Sequence, residues 1–217
     1  MREKLWGVIQ AVLTALVIVS GAIALPILFR PFFYWHIVPF DLCDRVGLTP
    51  EQVKTAYNEM MNFCVGISDS FSAGVLPFSQ SGADHFADVR KLFLLDLGVF
   101  FGAAVLLAAL LLGKRNKKLR LLGHTPGFWS AVGLGATFAV VGGLAALDFD
   151  RAFVVFHKLF FPGKDNWIFD GRFDPIINML PEAFFRNCAL LILGVLLLSC
   201  GMLIFWDIRE QKKTHRP

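Results

Sequence analysis

The stretch CALLILGVLLLSCGMLIFW, Cys188–Trp206, decides the fold. It is uncharged throughout and reaches the roughly 20 apolar residues that a helix needs to cross the hydrocarbon of a bilayer. Three further stretches meet the same test: Leu5–Phe29, Leu92–Leu112 and Gly127–Leu147. The second contains one acid, Asp96, and the other two have no charge in their apolar interiors. A chain of 217 residues that is 56% hydrophobic, with a mean hydropathy of +0.60, does not suit a soluble fold. The expectation is an all-α integral membrane protein, one membrane domain over residues 1–217 with four transmembrane helices.

The first of these runs follows Arg2 and Lys4, as a signal peptide would, but it is longer than the 7–15 residues of a signal core and is expected to stay as an anchor. No small-residue box closing on a cysteine follows it, so the chain is not expected to be lipidated itself. Orientation comes from the basic residues. Lys114, Arg115, Lys117, Lys118 and Arg120 join the second and third spans without an acid, and Arg209, Lys212, Lys213 and Arg216 mark the tail. Both segments are therefore expected inside, giving an N-in, C-in protein. The connections over about 30–91 and 148–187 mix acids and bases and fall outside as an extracytoplasmic cap. The net charge of +4 is then a topology signal rather than a mark of nucleic-acid binding, and no nucleic-acid partner is expected.

The cap is expected to be mainly helical. Thr49-Pro50-Glu51-Gln52 reads as a helix start, with a capping threonine, proline in the first turn and glutamine three residues on. Val53, Ala56, Tyr57, Met60 and Cys64 then share one face, and the helix should end near Gly66. Ser81 with Asp84 reads as a second capping box opening a helix that runs into the Leu92–Leu112 span. Short strands fit at Tyr34–Val38 and Trp167–Phe169. Cys43 and Cys64 suit a disulfide if the compartment oxidises, or, somewhat better, two small buried side chains.

Two histidines fall at the outer mouths of the spans. His85 lies in a run from Ser81 to Arg90, in the first turn of the expected helix, where steps of 3, 4 and 4 align it with Asp88, Leu92 and Asp96. His157 would share a face with Asp150, Val154 and Phe161 if the third span continues past Leu147. Histidine titrates near neutrality, so such a pair beside carboxylates can accept and return protons. Each residue also has a plainer reading: an interfacial histidine is more often a hydrogen-bonded amphipathic residue than a catalyst. His36 and His124 look interfacial, His215 belongs to the tail, and Asp96 is either a structural partner of Arg90 or a polar group facing a cavity, the first slightly favoured. There is no Gly-x-Ser-x-Gly elbow, phosphate loop or dinucleotide fingerprint, and no spacing that argues for zinc. No metal and no cofactor are expected.

Asp84-His85-Phe86-Ala87-Asp88-Val89-Arg90, then Phe156-His157, Asn166-Trp167-Ile168-Phe169-Asp170, Asp174-Pro175-Ile176-Ile177 and Leu180-Pro181-Glu182-Ala183-Phe184-Phe185, resemble the bacterial lipoprotein intramolecular transacylase family. The resemblance spans nearly the whole chain, and its motifs lie in order on one side of the membrane. It implies a multi-pass protein of the bacterial plasma membrane with its active site on the extracytoplasmic side. The substrate is a diacylated bacterial lipoprotein presented from membrane lipid. The sn-2 acyl chain of the diacylglyceryl group moves to the α-amino group of the N-terminal cysteine, leaving a lyso-form lipoprotein. His85 and His157 match the family's two catalytic histidines. Asp88, Trp167, Asp174 and Glu182 are expected to bind substrate or support the site, with His157 preferred as general base and His85 as its partner in proton transfer or oxyanion stabilisation. A non-enzymatic four-span scaffold or transporter and a metal-dependent lipid hydrolase are the alternatives.

Overall fold

The computed structural model describes residues 2–113 and 119–214. Lys114, Arg115, Lys117, Lys118, His215 and Arg216 lie outside the described residues. In chain order come α1 (Arg2–Leu28), α2 (Pro31–Tyr34), α3 (Leu42–Val46), α4 (Pro50–Cys64), α5 (Gln80–Leu112), α6 (Pro126–Leu147), α7 (Phe149–Phe160), a 3₁₀ turn (Pro175–Met179) and α8 (Glu182–Thr214). α1, α5, α6 and α8 contain the four apolar stretches and are long and apolar enough to cross a membrane. Helix is the form such runs must take, because hydrocarbon offers no partner to a free backbone N–H or C=O. The chain packs as two compact units, one of Met1–Ala24, Leu97–Leu147 and Leu191–Pro217, the other of Leu25–Asp96 and Asp148–Leu190.

The first unit is held by small residues. Ala22 of α1, Ala131 of α6, and Leu196 and Cys200 of α8 form a buried cluster ringed by Val19, Leu134, Phe138 and Val195. Alanine at the crossings lets backbones approach closely, which replaces the hydrophobic drive that lipid does not supply. At Gly142 a Cβ would come within 2.6 Å of the Leu193 side chain, so only glycine leaves Leu193 its place. Ser130 Oγ donates to the Ala11 carbonyl at 2.6 Å, tying α6 to α1. Asp207, wholly buried, accepts from the Thr125 backbone N–H at 2.7 Å and from Gln211 at 3.0 Å, and lies 2.7 Å from His124 Nδ1. Most of the apolar surface of α5, α6 and α8 is not covered by protein, as suits helices bathed in lipid.

The second unit carries the cap. The expected capping box at α4 forms in full: Gln52 N–H donates to Thr49 Oγ1 at 3.3 Å and Thr49 N–H to Gln52 Oε1 at 2.9 Å. Val53, Ala56, Tyr57, Met60 and Cys64 are all buried, and Gly66, at φ +82°, turns the chain just past the helix. Tyr57 stacks on Phe33 of α2 with ring centroids 3.8 Å apart. All four cysteines are free.

Four expectations fail, each for a visible reason. Tyr34–Val38 is helix end and turn, closed by backbone bonds such as His36 N–H to the Phe33 carbonyl, and Trp167–Phe169 lies in a turn held by Ile168 N–H to the Asp165 carbonyl; neither is a strand. α5 opens at Ser79 rather than Ser81, because the Ser79 hydroxyl accepts from Gly82 N–H at 3.0 Å and its carbonyl accepts from Ala83 N–H. His85 is thereby moved into the second turn. The third span does not run on past Leu147: Asp148 adopts an extended backbone and its carboxylate accepts from Arg151 N–H at 2.9 Å, capping a separate helix, α7. Asp96 does not pair with Arg90, which donates to the Ser68 carbonyl at 2.6 Å and lies over the Phe63 ring, leaving Asp96 Oδ2 buried without a hydrogen-bond partner.

Candidate active site

His85 and His157 meet within the second unit. The second turn of α5 supplies His85 and, three residues on, Asp88; the last turn of α7 supplies His157. Both rings are almost wholly buried, at 6% and 8% exposure, with centroids 6.0 Å apart. The chain after α7 folds over them. Phe161 lies 5.0 Å and Phe169 5.3 Å from His85, while Trp167 stacks on His157 at 4.8 Å and Phe153 lies 4.2 Å away on its own helix.

The surroundings set the state of His157. Its Nδ1 lies 2.8 Å from the Phe153 carbonyl, which can only accept, so Nδ1 carries the proton and Nε2 holds a lone pair in the neutral ring. Burial among the aromatic rings pushes its pKa below the ordinary histidine value of 6.5, outweighing the opposing pull of that carbonyl. His157 is therefore neutral at pH 7, with Nε2 available to take a proton.

Beside the rings runs a polar strip. Asp88, buried, accepts from Lys164, from Lys91 at 3.0 Å and from Asn166 Nδ2 at 3.3 Å. Lys164 also offers its backbone carbonyl to Trp167 Nε1 at 2.9 Å, so one residue fixes both the carboxylate and the indole that covers His157. Asp174 serves from farther off. Buried at the start of the 3₁₀ turn, it accepts from Ser79 N–H and Ser79 Oγ, both at 2.7 Å, and clamps that turn to the first turn of α5. Gly82 makes this approach possible, since a Cβ there would lie 2.3 Å from Asp174 Oδ1. Glu182 is not at the histidines: it begins α8, exposed, beside Asp150 and Arg186.

The structure thus brings His85, His157, Asp88 and Trp167 together, places Asp174 behind them as a clamp, and leaves Glu182 outside. Sequence reading missed the parts played by Lys164 and Asn166. Lys164 follows Gly163, which turns the chain at φ +72°, and Asn166 sits next to Trp167 within a motif already singled out, so a signal was present. Among the described residues no group of three or more His, Cys, Asp or Glu is placed to hold a metal ion.

The family model described as lipoprotein intramolecular transacylase Lit matches residues 8–185, a range that contains every residue of this site. The chain belongs to that family. Its fold is likewise that of a solved Lit: the membrane integral lipoprotein intramolecular transacylase Lit from Bacillus cereus is similar over 98% of both chains, at 25% identity and a TM-score of 0.84. Structures of the same Bacillus cereus Lit with a histidine replaced by alanine or by arginine also match, at 25% and 24% identity, each with a TM-score of 0.76. The first covers 98% of this chain and 96% of that one, the second 99% and 95%. No curated protein matches in sequence. Membership of the Lit family, together with four apolar helices, makes this a multi-pass bacterial membrane protein.

Proposed function

We infer that this Lit-family protein is a lipoprotein intramolecular transacylase. It moves the sn-2 acyl chain of a diacylglyceryl-modified N-terminal cysteine onto that cysteine's own α-amino group, at the outer face of the bacterial plasma membrane. The observation that carries the mechanism is the buried pair His85 and His157, 6.0 Å apart, with His157 neutral and its Nε2 open.

An α-amine titrates near 8, so at neutral pH most of it is protonated and cannot attack. His157 Nε2 takes a proton as the nitrogen adds to the ester carbonyl. His85, facing it, steadies the charge that develops on the carbonyl oxygen and helps return a proton to the departing glyceryl oxygen. No enzyme nucleophile is needed. Nucleophile and ester belong to one substrate, and holding them in register can lower the barrier by about 7–11 kcal/mol in well-oriented cases. Asp88 supports His85 electrostatically, and Trp167 keeps water from His157. Val155, Phe156, Leu159 and Phe160 of α7 are exposed and apolar, fitting a helix that meets membrane lipid while its other face holds His157. Family membership favours this reading over a scaffold, a transporter or a metal-dependent hydrolase.

Membranes containing the protein should convert diacylglyceryl lipoprotein to the N-acyl lyso form with no added acyl donor. Mass spectrometry of the lipoprotein's N-terminal peptide reads this directly. Conversion that required added phospholipid would replace the intramolecular reaction with an intermolecular one.

A further inference from the structure

Among the described residues three buried side-chain polar atoms lack a hydrogen-bond partner: His85 Nδ1, Asn166 Oδ1 and Asp96 Oδ2. Buried polar groups are almost always paired, so each such atom asks for a reason. Two of the three belong to one site and are chemically complementary, since an imidazole nitrogen can donate and an amide oxygen only accepts. The direction of the Asn166 amide is fixed from its other end. Asp88 is a carboxylate held by Lys164 and Lys91, it can only accept, and so it draws the Nδ2 side of the amide at 3.3 Å. Oδ1 must then turn away from Asp88, and Asn166 is among the groups that act directly on the His85 ring.

We propose that Asn166 is the positioning residue of His85: its Oδ1 accepts the Nδ1 proton, fixing the tautomer in which Nε2 is the free acceptor. The order Lys164, Asp88, Asn166, His85 then does for one histidine what the Phe153 carbonyl does for the other. This rests on the transacylase reading and sharpens it, because both rings enter the reaction with an open Nε2. His85 Nε2 takes one proton from the substrate ammonium and leaves a free amine. The nitrogen pair forms the C–N bond to the ester carbonyl carbon, whose π pair moves to oxygen, and His157 Nε2 takes the second proton from nitrogen. The carbonyl re-forms, the C–O bond to glycerol breaks with its electron pair on oxygen, and the His85 imidazolium protonates that oxygen. His157 returns its proton to solvent, so the reaction releases the one proton that the ammonium brought.

Full-length protein labelled with ¹⁵N-histidine, in lipid bicelles at pH 8, reports in a two-bond ¹H–¹⁵N spectrum which ring nitrogen is protonated. His85 should be Nδ1–H. Asn166→Ala should shift it toward the Nε2–H form and lower kcat about tenfold or more, with KM held within about twofold. Asn166→Asp, which keeps an acceptor, should retain Nδ1–H. An Nε2–H His85 in the unsubstituted protein overturns the proposal, as does an Asn166→Ala protein with unchanged tautomer and kcat. If Asn166→Ala fails to fold, the unsubstituted and Asn166→Asp spectra decide. An Nδ1–H His85 in a protein that leaves diacylglyceryl lipoprotein unchanged would remove the transacylase reading and leave this assignment standing.

Discussion

His36 and His157 are built on the same local device. Each places Nδ1 against the carbonyl of a phenylalanine four residues earlier, Phe32 at 2.7 Å and Phe153 at 2.8 Å, and each ring packs on that phenylalanine. They differ at the other nitrogen. His36 Nε2 lies 2.9 Å from Asn187 Nδ2, which can only donate, so both of its nitrogens are satisfied and the ring joins the start of the chain's outer segment to α8. His157 Nε2 forms no hydrogen bond among the described residues, and the ring faces a second histidine across an aromatic enclosure. One carbonyl bond fixes a tautomer; whether the result is a strut or a base depends on what meets Nε2.

The largest effect should come from removing the open ring. His157→Ala is expected to lower conversion of diacylglyceryl lipoprotein by about 10²- to 10⁴-fold, the usual worth of a positioned acid or base. His36→Ala should leave the rate within a few-fold while lowering stability by about 1–3 kcal/mol, because it strands the Asn187 amide and the Phe32 carbonyl. Both are read from lipoprotein N-terminal peptides by mass spectrometry and from the melting temperature. Equal losses of activity in the two variants would erase the distinction between the rings.

Next in size is the clamp that brings α5 to the loop over His157. Asp174→Ala removes two acceptor contacts to Ser79, each a hydrogen bond to a charged group worth about 1.5–3 kcal/mol. Gly82→Ala drives a Cβ against Asp174 Oδ1 and should act in the same direction. Both variants should melt lower and also lose turnover, since His85 lies less than two turns from the clamp on the same helix. A variant that melts lower with unaltered turnover would show that the clamp does not position His85.

Titration of His157 itself gives a further test. Burial holds the His157 pKa below 6.5, so the ring stays neutral as pH falls through 6.5 and charges only at lower pH. Trp167→Ala opens the ring to water. Its titration midpoint, followed by ¹⁵N NMR, should then rise toward 6.5, and the variant should lose more activity at pH 6 than at pH 8. An unmoved midpoint would mean that Trp167 does not keep water from the ring.

Much of this was legible in the chain. Uninterrupted apolar runs admit only helices in lipid, so four spans follow from composition, and the Thr49 box with its buried Val53, Ala56, Tyr57, Met60 and Cys64 follows from periodicity. The histidines were legible as a pair because both border a span on the same expected side. What local sequence could not show was competition between caps. Ser79 and Ser81 are equally good helix starts until Asp174, ninety-five residues away, bonds Ser79. Asp148 could have sat in a continuing helix until its carboxylate capped α7. Asn166 stood in a quoted motif and Lys164 close before it, but their roles were not legible for the same reason, since their partner Asp88 lies on another element. Short-range chemistry places elements, and long-range pairing decides which of two adequate local solutions forms.

The smallest prediction tests whether openness alone makes a base. Asn187→Ala frees His36 Nε2 and should cost about 0.5–1.5 kcal/mol, the net worth of one hydrogen bond. It leaves the ring with the same tautomer and the same open nitrogen as His157, packed by Phe32, Phe40 and Phe184 much as His157 is packed by Phe153 and Trp167. What His36 lacks is a second ring across the gap and the Asp88 carboxylate beside it. Introduced together with His157→Ala, Asn187→Ala should therefore restore no conversion. A measurable return of lyso-form product in that double variant would show that an open imidazole at this depth suffices, and that the pairing of His85 with His157 is not what the reaction requires.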